Sequence, residues 1–193
     1  MRFTARAFSA LLVLALLVAG HASAASSPAQ VWLTYLFQAF KTNAAMRTGM
    51  QRHAASQSDP ALKKYLMSIA IQLSDAAMDA KASPMIEQAL TPQELAQCAA
   101  FATSPTGRTI LATSRPYATV RQALPALDAM PGEHQQRTQV FLSSPCYKKT
   151  LQVLSSPQFN QAMAGYGKEL ACAEFGRTDR EALATLRGQG LCR

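Results

Sequence analysis

The chain is predicted to be all-α, a single-domain bundle of seven to nine short-to-medium helices, and three features carry that expectation. Seven of its ten prolines follow Ser, Thr or Asp, apolar residues recur at helical spacing between them, and no stretch alternates polar and apolar residues for long enough to make a strand. The pairs are Ser27-Pro28, Asp59-Pro60, Ser83-Pro84, Thr91-Pro92, Ser104-Pro105, Ser144-Pro145 and Ser156-Pro157. A residue before proline is pushed to extended geometry, which is the geometry of an N-cap, and its side-chain oxygen accepts from the free amides of the first turn. Proline at the next position gives up only an amide that had no partner. Each pair therefore reads as a helix start.

The first helix is expected over about 28–48. Val31, Trp32, Leu33, Tyr35, Leu36, Phe37 and Phe40 cover most of its circumference and leave a polar strip near Thr34, Gln38 and Lys41. Such a helix is either central in the bundle or docked on something external. The second helix is expected over 60–82, with Leu62, Leu66, Ile69, Leu73, Ala76 and Ala80 on one stripe. At about 100° per residue, Met67, Ile71 and Met78 fall opposite that stripe, where they meet either another layer of the domain or a partner. Methionine fills cores and is also common on surfaces that bind other proteins, so this trio is a candidate binding surface. A short helix at 84–90 follows from Ser83-Pro84, and the next, 92–103, opens with the capping box Thr91-Pro92-Gln93-Glu94. Further helices are expected at 105–114, 116–130 with a kink at Pro125, 133–143, 145–155, 157–175 and 179–187, the last opened by a capping box from Thr178 to Glu181, with some of these merging.

Two of the helix boundaries are written alike. Phe101 to Leu111 reads FATSPTGRTIL, and Phe141 to Leu151 reads FLSSPCYKKTL. Each places Phe on the last turn of one helix, Ser-Pro at the corner, and Leu one to two turns into the next, so that Phe and Leu can pack across the corner. A degenerate duplication and convergence on a good corner both account for the four shared residues. In the first copy, Ser104, Pro105, Gly107 and Arg108 form a candidate anion-binding turn, since the free amides and dipole of a helix start attract anions. Glycine costs about 1 kcal/mol against alanine inside a helix, so Gly107 answers either to a ligand or to the close approach of a neighbouring helix.

Residues 1–24 have the form of a cleavable export signal: Arg2 and Arg6, an apolar run from Ala7 to Val18, and Ala22-Ser23-Ala24. The run falls short of the roughly 20 residues of a spanning helix, and no transmembrane segment is expected. A single helical domain over 25–193 is expected in the bacterial periplasm. Without Arg2 and Arg6, 17 basic side chains stand against 11 acidic ones, and the excess lies in residues 108–193, with 11 basic and 6 acidic. Outside the cytoplasm nucleic acid is not an expected partner, so the charge points to acidic proteins or envelope polymers. Cys98, Cys146, Cys172 and Cys192 are expected to form two disulfides in an oxidising compartment. Three connectivities exist, and the one joining neighbouring helices pairs Cys98 with Cys146 and Cys172 with Cys192.

Leu90 to Leu111, LTPQELAQCAAFATSPTGRTIL, resembles the bacterial exported family catalogued as domain of unknown function 2059. The matching positions are Glu94, Leu95, Phe101, Ser104, Pro105, Gly107, Ile110 and Leu111, with Ala102 where the family often has a second aromatic. The family-like core spans about 60–130, and the repeated corner at 141–151 lies beyond it. The resemblance implies a helical fold and export, and no activity, because the family has none assigned.

No catalytic constellation is expected. His53 and His134 lie in no ligand motif, no nucleotide or nucleophile signature occurs, and Glu169 and Glu174 are not spaced to share a helix face. No C-x-x-C pair offers redox exchange or a metal site, and no cofactor is expected. These features together predict an exported non-enzymatic protein that binds another protein, or a second copy of itself, as an inhibitor, immunity factor or accessory chaperone. An envelope binder of anionic lipid or polysaccharide and an enzyme of unrecognised type are the alternatives.

Overall fold

A computed structural model describes residues 26–193, and the export signal expected at 1–24 lies outside the described residues. Eleven helices are present and no strand occurs among the described residues. The order is α1 Pro28–Ala39, α2 Thr42–Ala55, α3 Pro60–Gln72, α4 Asp75–Ala89, α5 Pro92–Thr103, α6 Pro105–Ser114, α7 Val120–Asp128, α8 Gly132–Leu142, α9 Pro145–Leu154, α10 Pro157–Thr178 and α11 Arg180–Gly188. The all-α expectation holds. The expected number, seven to nine, is too low because two long helices are each broken in two.

Six of the seven cap-proline pairs start helices, with Ser27, Asp59, Thr91, Ser104, Ser144 and Ser156 each accepting from a first-turn amide. Ser83-Pro84 does not. Pro84 lies inside α4, where it gives up the bond to the Ala80 carbonyl, and Ser83 is buried. The start of α4 is instead Ser74, whose Oγ accepts from the Ala77 amide, after Leu73 has left helical geometry with ψ 93°. The expected helix 60–82 is therefore two, and the expected helix 84–90 is the end of the second. At the other break, Lys41 takes a left-handed φ of 53°, which lets α2 turn away from α1 and pack on α3. The expected capping box at Thr178 also shifts: Thr178 closes α10, and Asp179 caps α11. Thr119, boxed with Gln122, starts α7 four residues after the expected boundary.

The first helix is the centre of the bundle. Trp32, Leu33, Tyr35, Leu36 and Phe37 are all buried, and α1 packs on α4, α5 and α6. The helix α10 closes the other side against α3 and α4 and comes so near α3 that a Cβ on Gly167 would lie 2.9 Å from Ile69 Cγ2. Trp32 donates its indole N–H to Thr150 Oγ1 at 3.0 Å, linking the centre of the bundle to α9. Both disulfides take the pairing expected from chain neighbourhood: Cys98 with Cys146, with Cα atoms 6.0 Å apart, and Cys172 with Cys192, at 5.7 Å. The first ties α5 to α9, and the second holds the chain end against α10.

Candidate binding site

The repeated corner has the same hydrogen bonds in both copies. The Ser104 amide donates to the Phe101 carbonyl, the Gly107 amide donates to Ser104 Oγ, and the Arg108 amide donates to the Ser104 carbonyl. Ser144, Phe141, Tyr147 and Lys148 reproduce this set. Ser156-Pro157 reproduces it a third time with Val153 in place of phenylalanine, so the bonding pattern is a local property of a Ser-Pro helix corner. What sets the first two copies apart is the aromatic ring. Phe101 and Phe141 stack on each other, centroids 3.7 Å apart and planes within 4°. The two phenylalanines thus meet across the bundle, and Cys98–Cys146 joins the helices on which the two corners lie.

The stacked pair extends into a larger aromatic cluster. Trp32 meets the edge of Phe141 at 5.3 Å, Tyr35 meets Phe101 at 6.1 Å, and Tyr147 meets Phe141 at 5.8 Å. Burial raises the phenol pKa of both Tyr35 and Tyr147, with the nearby Tyr147 adding to the shift at Tyr35, so these rings remain uncharged at neutral pH. The five rings line a cavity of about 340 Å³ between α1, α5, α6, α7, α8 and α9. Its mouth carries Phe40, Leu124 and Leu142, which are 43%, 47% and 40% exposed. Half of the large apolar side chains exposed among the described residues therefore gather at one opening. Of the polar lining, Gln135 donates to the Asp128 and Met130 carbonyls and Thr138 donates to the His134 carbonyl, leaving Asp128 as the charged residue of the wall.

The residues singled out from the sequence are dispersed around this cavity rather than in it. Ser104 and Pro105 form the corner behind Phe101. Gly107 is buried, and a Cβ there would lie 2.2 Å from the Phe101 carbonyl oxygen and 2.8 Å from that of Ala102. The glycine therefore serves the close approach of α5 to α6, and its amide is occupied by Ser104, which leaves little of an anion-binding turn. Arg108 is exposed and lies on the far side of α6, where it donates to the Thr103 carbonyl. Met67, Ile71 and Met78 do not form one surface: Met78 is 1% exposed, Met67 is half-buried, and Ile71 is 70% exposed. The break at Leu73 and Ser74 places Met78 on a different helix from the other two. His134 is half-buried, its Nδ1 3.0 Å from Thr106 Oγ1, and so joins α8 to the first turn of α6.

The cavity has no contiguous signature in the sequence because its walls come from six helices. The recurrence of an aromatic before both Ser-Pro pairs was the available signal. No cluster of His, Cys, Asp and Glu suited to a metal occurs among the described residues, and no described helix is long and apolar enough to cross a membrane. No family model, no characterised protein and no solved structure matches this chain significantly.

Proposed function

We propose that this is an exported, non-enzymatic binding protein of the bacterial periplasm that takes apolar side chains of a partner protein into the aromatic-lined cavity. The gathering of Phe40, Leu124 and Leu142 at the mouth of that cavity carries the reading, because clustered apolar exposure marks an interaction surface whereas scattered exposure does not. At about 340 Å³ the cavity is at the small end of the roughly 300–1,000 Å³ typical of small-molecule sites, and its apolar rim extends the contact outward. That combination suits a few anchoring side chains presented by a larger surface, with an aromatic or leucine as the central anchor. The two disulfides are compatible with an oxidising compartment, as the export signal expected at 1–24 requires. The resemblance of Leu90 to Leu111 to the exported family catalogued as domain of unknown function 2059 supports the same compartment, and we place the chain beside that family on those residues.

The test is capture from periplasmic extract with a photo-crosslinking residue at Leu142, in three backgrounds. The unmodified chain and Ile71→Glu are expected to yield the same discrete adduct, and Leu124→Glu is expected to lose it. An adduct that survives Leu124→Glu but disappears with Ile71→Glu would move the interface to α3 and end this proposal.

A further inference from the structure

The fold leaves two hydroxyls of the aromatic-lined cavity unused. Tyr35 and Tyr147 both line it, and neither phenol oxygen has a hydrogen-bond partner among the described residues. Burial raises the pKa of both, and the neighbouring Tyr147 adds to the rise at Tyr35, with no hydrogen bond acting on either group. Among the described residues, the side-chain oxygens fully enclosed without a partner belong to Asn43, Ser68, Asp75, Asp79 and Ser83, so both phenol oxygens keep some open surface. Tyr35 is only 7% exposed, and the little surface that its hydroxyl keeps opens on the cavity that its ring lines. Trp32 in the same cluster differs, because its indole N–H is already taken by Thr150. The two phenols are thus the hydrogen-bonding groups that the aromatic wall holds in reserve.

Depth separates Tyr35 from the apolar rim. Phe40, Leu124 and Leu142 are each at least 40% exposed at the mouth, against 7% for Tyr35, so an entering group meets apolar surface first and the phenol last. An all-apolar side chain would displace water from the hydroxyls without replacing its bonds, which loses affinity. A charged tip is disfavoured for a different reason. No lysine or arginine lines the cavity, and its one charged residue, Asp128, is a carboxylate at an exposed position. A carboxylate would therefore be buried without a counter-charge, and an ammonium or guanidinium would leave its one carboxylate partner at the surface by entering. The tip that suits the cavity is neutral, and it both donates and accepts, because a phenol does both.

We infer that the side chain this cavity takes from its partner is a tyrosine, whose ring fills the apolar space and whose hydroxyl bonds to Tyr35 and Tyr147. Among side chains, tyrosine alone joins a large apolar body to a neutral tip that both donates and accepts. Tryptophan donates only, and serine, threonine, asparagine and glutamine lack the body. The inference rests on the protein-binding role proposed for the cavity and narrows its anchor from an aromatic or leucine to one residue type.

Titration of the purified chain with N-acetyl-tyrosinamide and N-acetyl-phenylalaninamide, read by nuclear magnetic resonance, compares two probes that differ by one oxygen. The tyrosine probe is expected to bind at least about tenfold more tightly. Tyr35→Phe keeps the ring and breaks no hydrogen bond of the fold; it is expected to weaken the tyrosine probe about tenfold while the phenylalanine probe binds as before or more tightly. Tyr147→Phe should act in the same direction, and Leu124→Glu at the mouth should weaken both probes. Equal or tighter binding of the phenylalanine probe to the unmodified chain would overturn the inference. So would an undiminished preference for tyrosine when both phenols are replaced, or no binding of either probe at millimolar concentration. The periplasmic adduct at Leu142 separates this inference from the reading beneath it. An adduct lost with Leu124→Glu but retained when Tyr35 and Tyr147 are both phenylalanine would leave a protein-binding cavity and refute the tyrosine anchor. A tyrosine preference with no adduct in any background would keep the phenol site and end the protein-binding reading.

Discussion

At Gly107 and Asp79 local preference and tertiary setting oppose each other. Helix propensity alone favours alanine over glycine at position 107 by about 1 kcal/mol. The carbonyls of Phe101 and Ala102 occupy the space that the new Cβ would need, and both belong to backbone that the corner hydrogen bonds hold in place. Gly107→Ala is therefore expected to lower stability by about 1 to 3 kcal/mol, the range of an overpacked core, as read by urea denaturation. A gain in stability would show that the corner opens without cost. Asp79 accepts a hydrogen bond from Thr34 Oγ1, yet burial raises its carboxyl pKa, outweighing that bond, and Asp75 adds to the rise. A carboxyl with a raised folded pKa opposes folding once ionised: its penalty is absent below the unfolded pKa of about 4 and is fully present above the folded value. Asp79→Asn is thus expected to stabilise the chain at pH 7 and to have no such benefit near about pH 3, a difference that thermal melts at the two pH values would resolve. An equal effect at both values would assign the change to packing rather than to charge.

Among the elements, the Ser-Pro corners and the disulfides do different work. The corners set where helices end, and they do so by bonds among neighbours in the chain, which is why Ser156-Pro157 builds the same corner without an aromatic. The cystines set which helices stay together. Closing loops of 48 and 20 residues is worth about 3 to 4 kcal/mol each in the chain-entropy model. Their consequences for the cavity should differ. Replacing Cys98 and Cys146 together by alanine frees α5 from α9 beside the stacked Phe101 and Phe141, so a loss of stability is expected together with loss of the crosslinked adduct. Replacing Cys172 and Cys192 is expected to lower the denaturation midpoint while the adduct persists, because the chain end lies away from the aromatic wall. Equal loss of the adduct in both variants would indicate that the cavity depends on global stability alone.

The whole molecule is a bundle around one nearly all-apolar helix, and two of its concavities, the aromatic-lined cavity and a basic groove lined by Lys41, Arg47, Arg108 and Arg115, lie on opposite sides of that helix and α6. Residues of α1 and α6 line both: Tyr35 and Ile110 face the aromatic side, whereas Gln38 and Arg108 face the basic one. The surface at Ile71 provides a contrast. Although an angular count grouped it with Met67 and Met78, Ile71 is exposed and Met78 is enclosed. Ile71→Glu should change stability by less than about 0.5 kcal/mol, whereas Met78→Glu should unfold the chain, since an unpaired buried charge costs a large share of the roughly 5 to 15 kcal/mol that holds a domain together. Circular dichroism of the two variants decides this, and unfolding by Ile71→Glu would contradict the position of α3.

Helix class, the six working caps and the pairing of the cysteines could be read from the chain because each rests on residues close in sequence or on a short list of alternatives, whereas the apolar circumference of α1 fitted a central and a docked position alike and packing decided for the centre. Ser83-Pro84 misled because a cap-proline pair and a proline tolerated within a helix look alike in sequence; packing of Ala82 and Ile86 into the core carries α4 through it. Lys41 gave no warning at all, since lysine has no preference for a left-handed turn, and only the return of α2 onto α3 demands one. The same distinction applies to the sites. The two phenylalanines were visible as a repeated pattern, but their stacking joins residues 40 apart. The basic groove joins Lys41 and Asn43 to Arg108 and Arg115, more than 60 residues on in the chain, and no spacing encodes such a meeting. Local hydrogen bonding and periodicity are properties of neighbouring residues, whereas a concavity exists only where separate helices fail to fill the space between them.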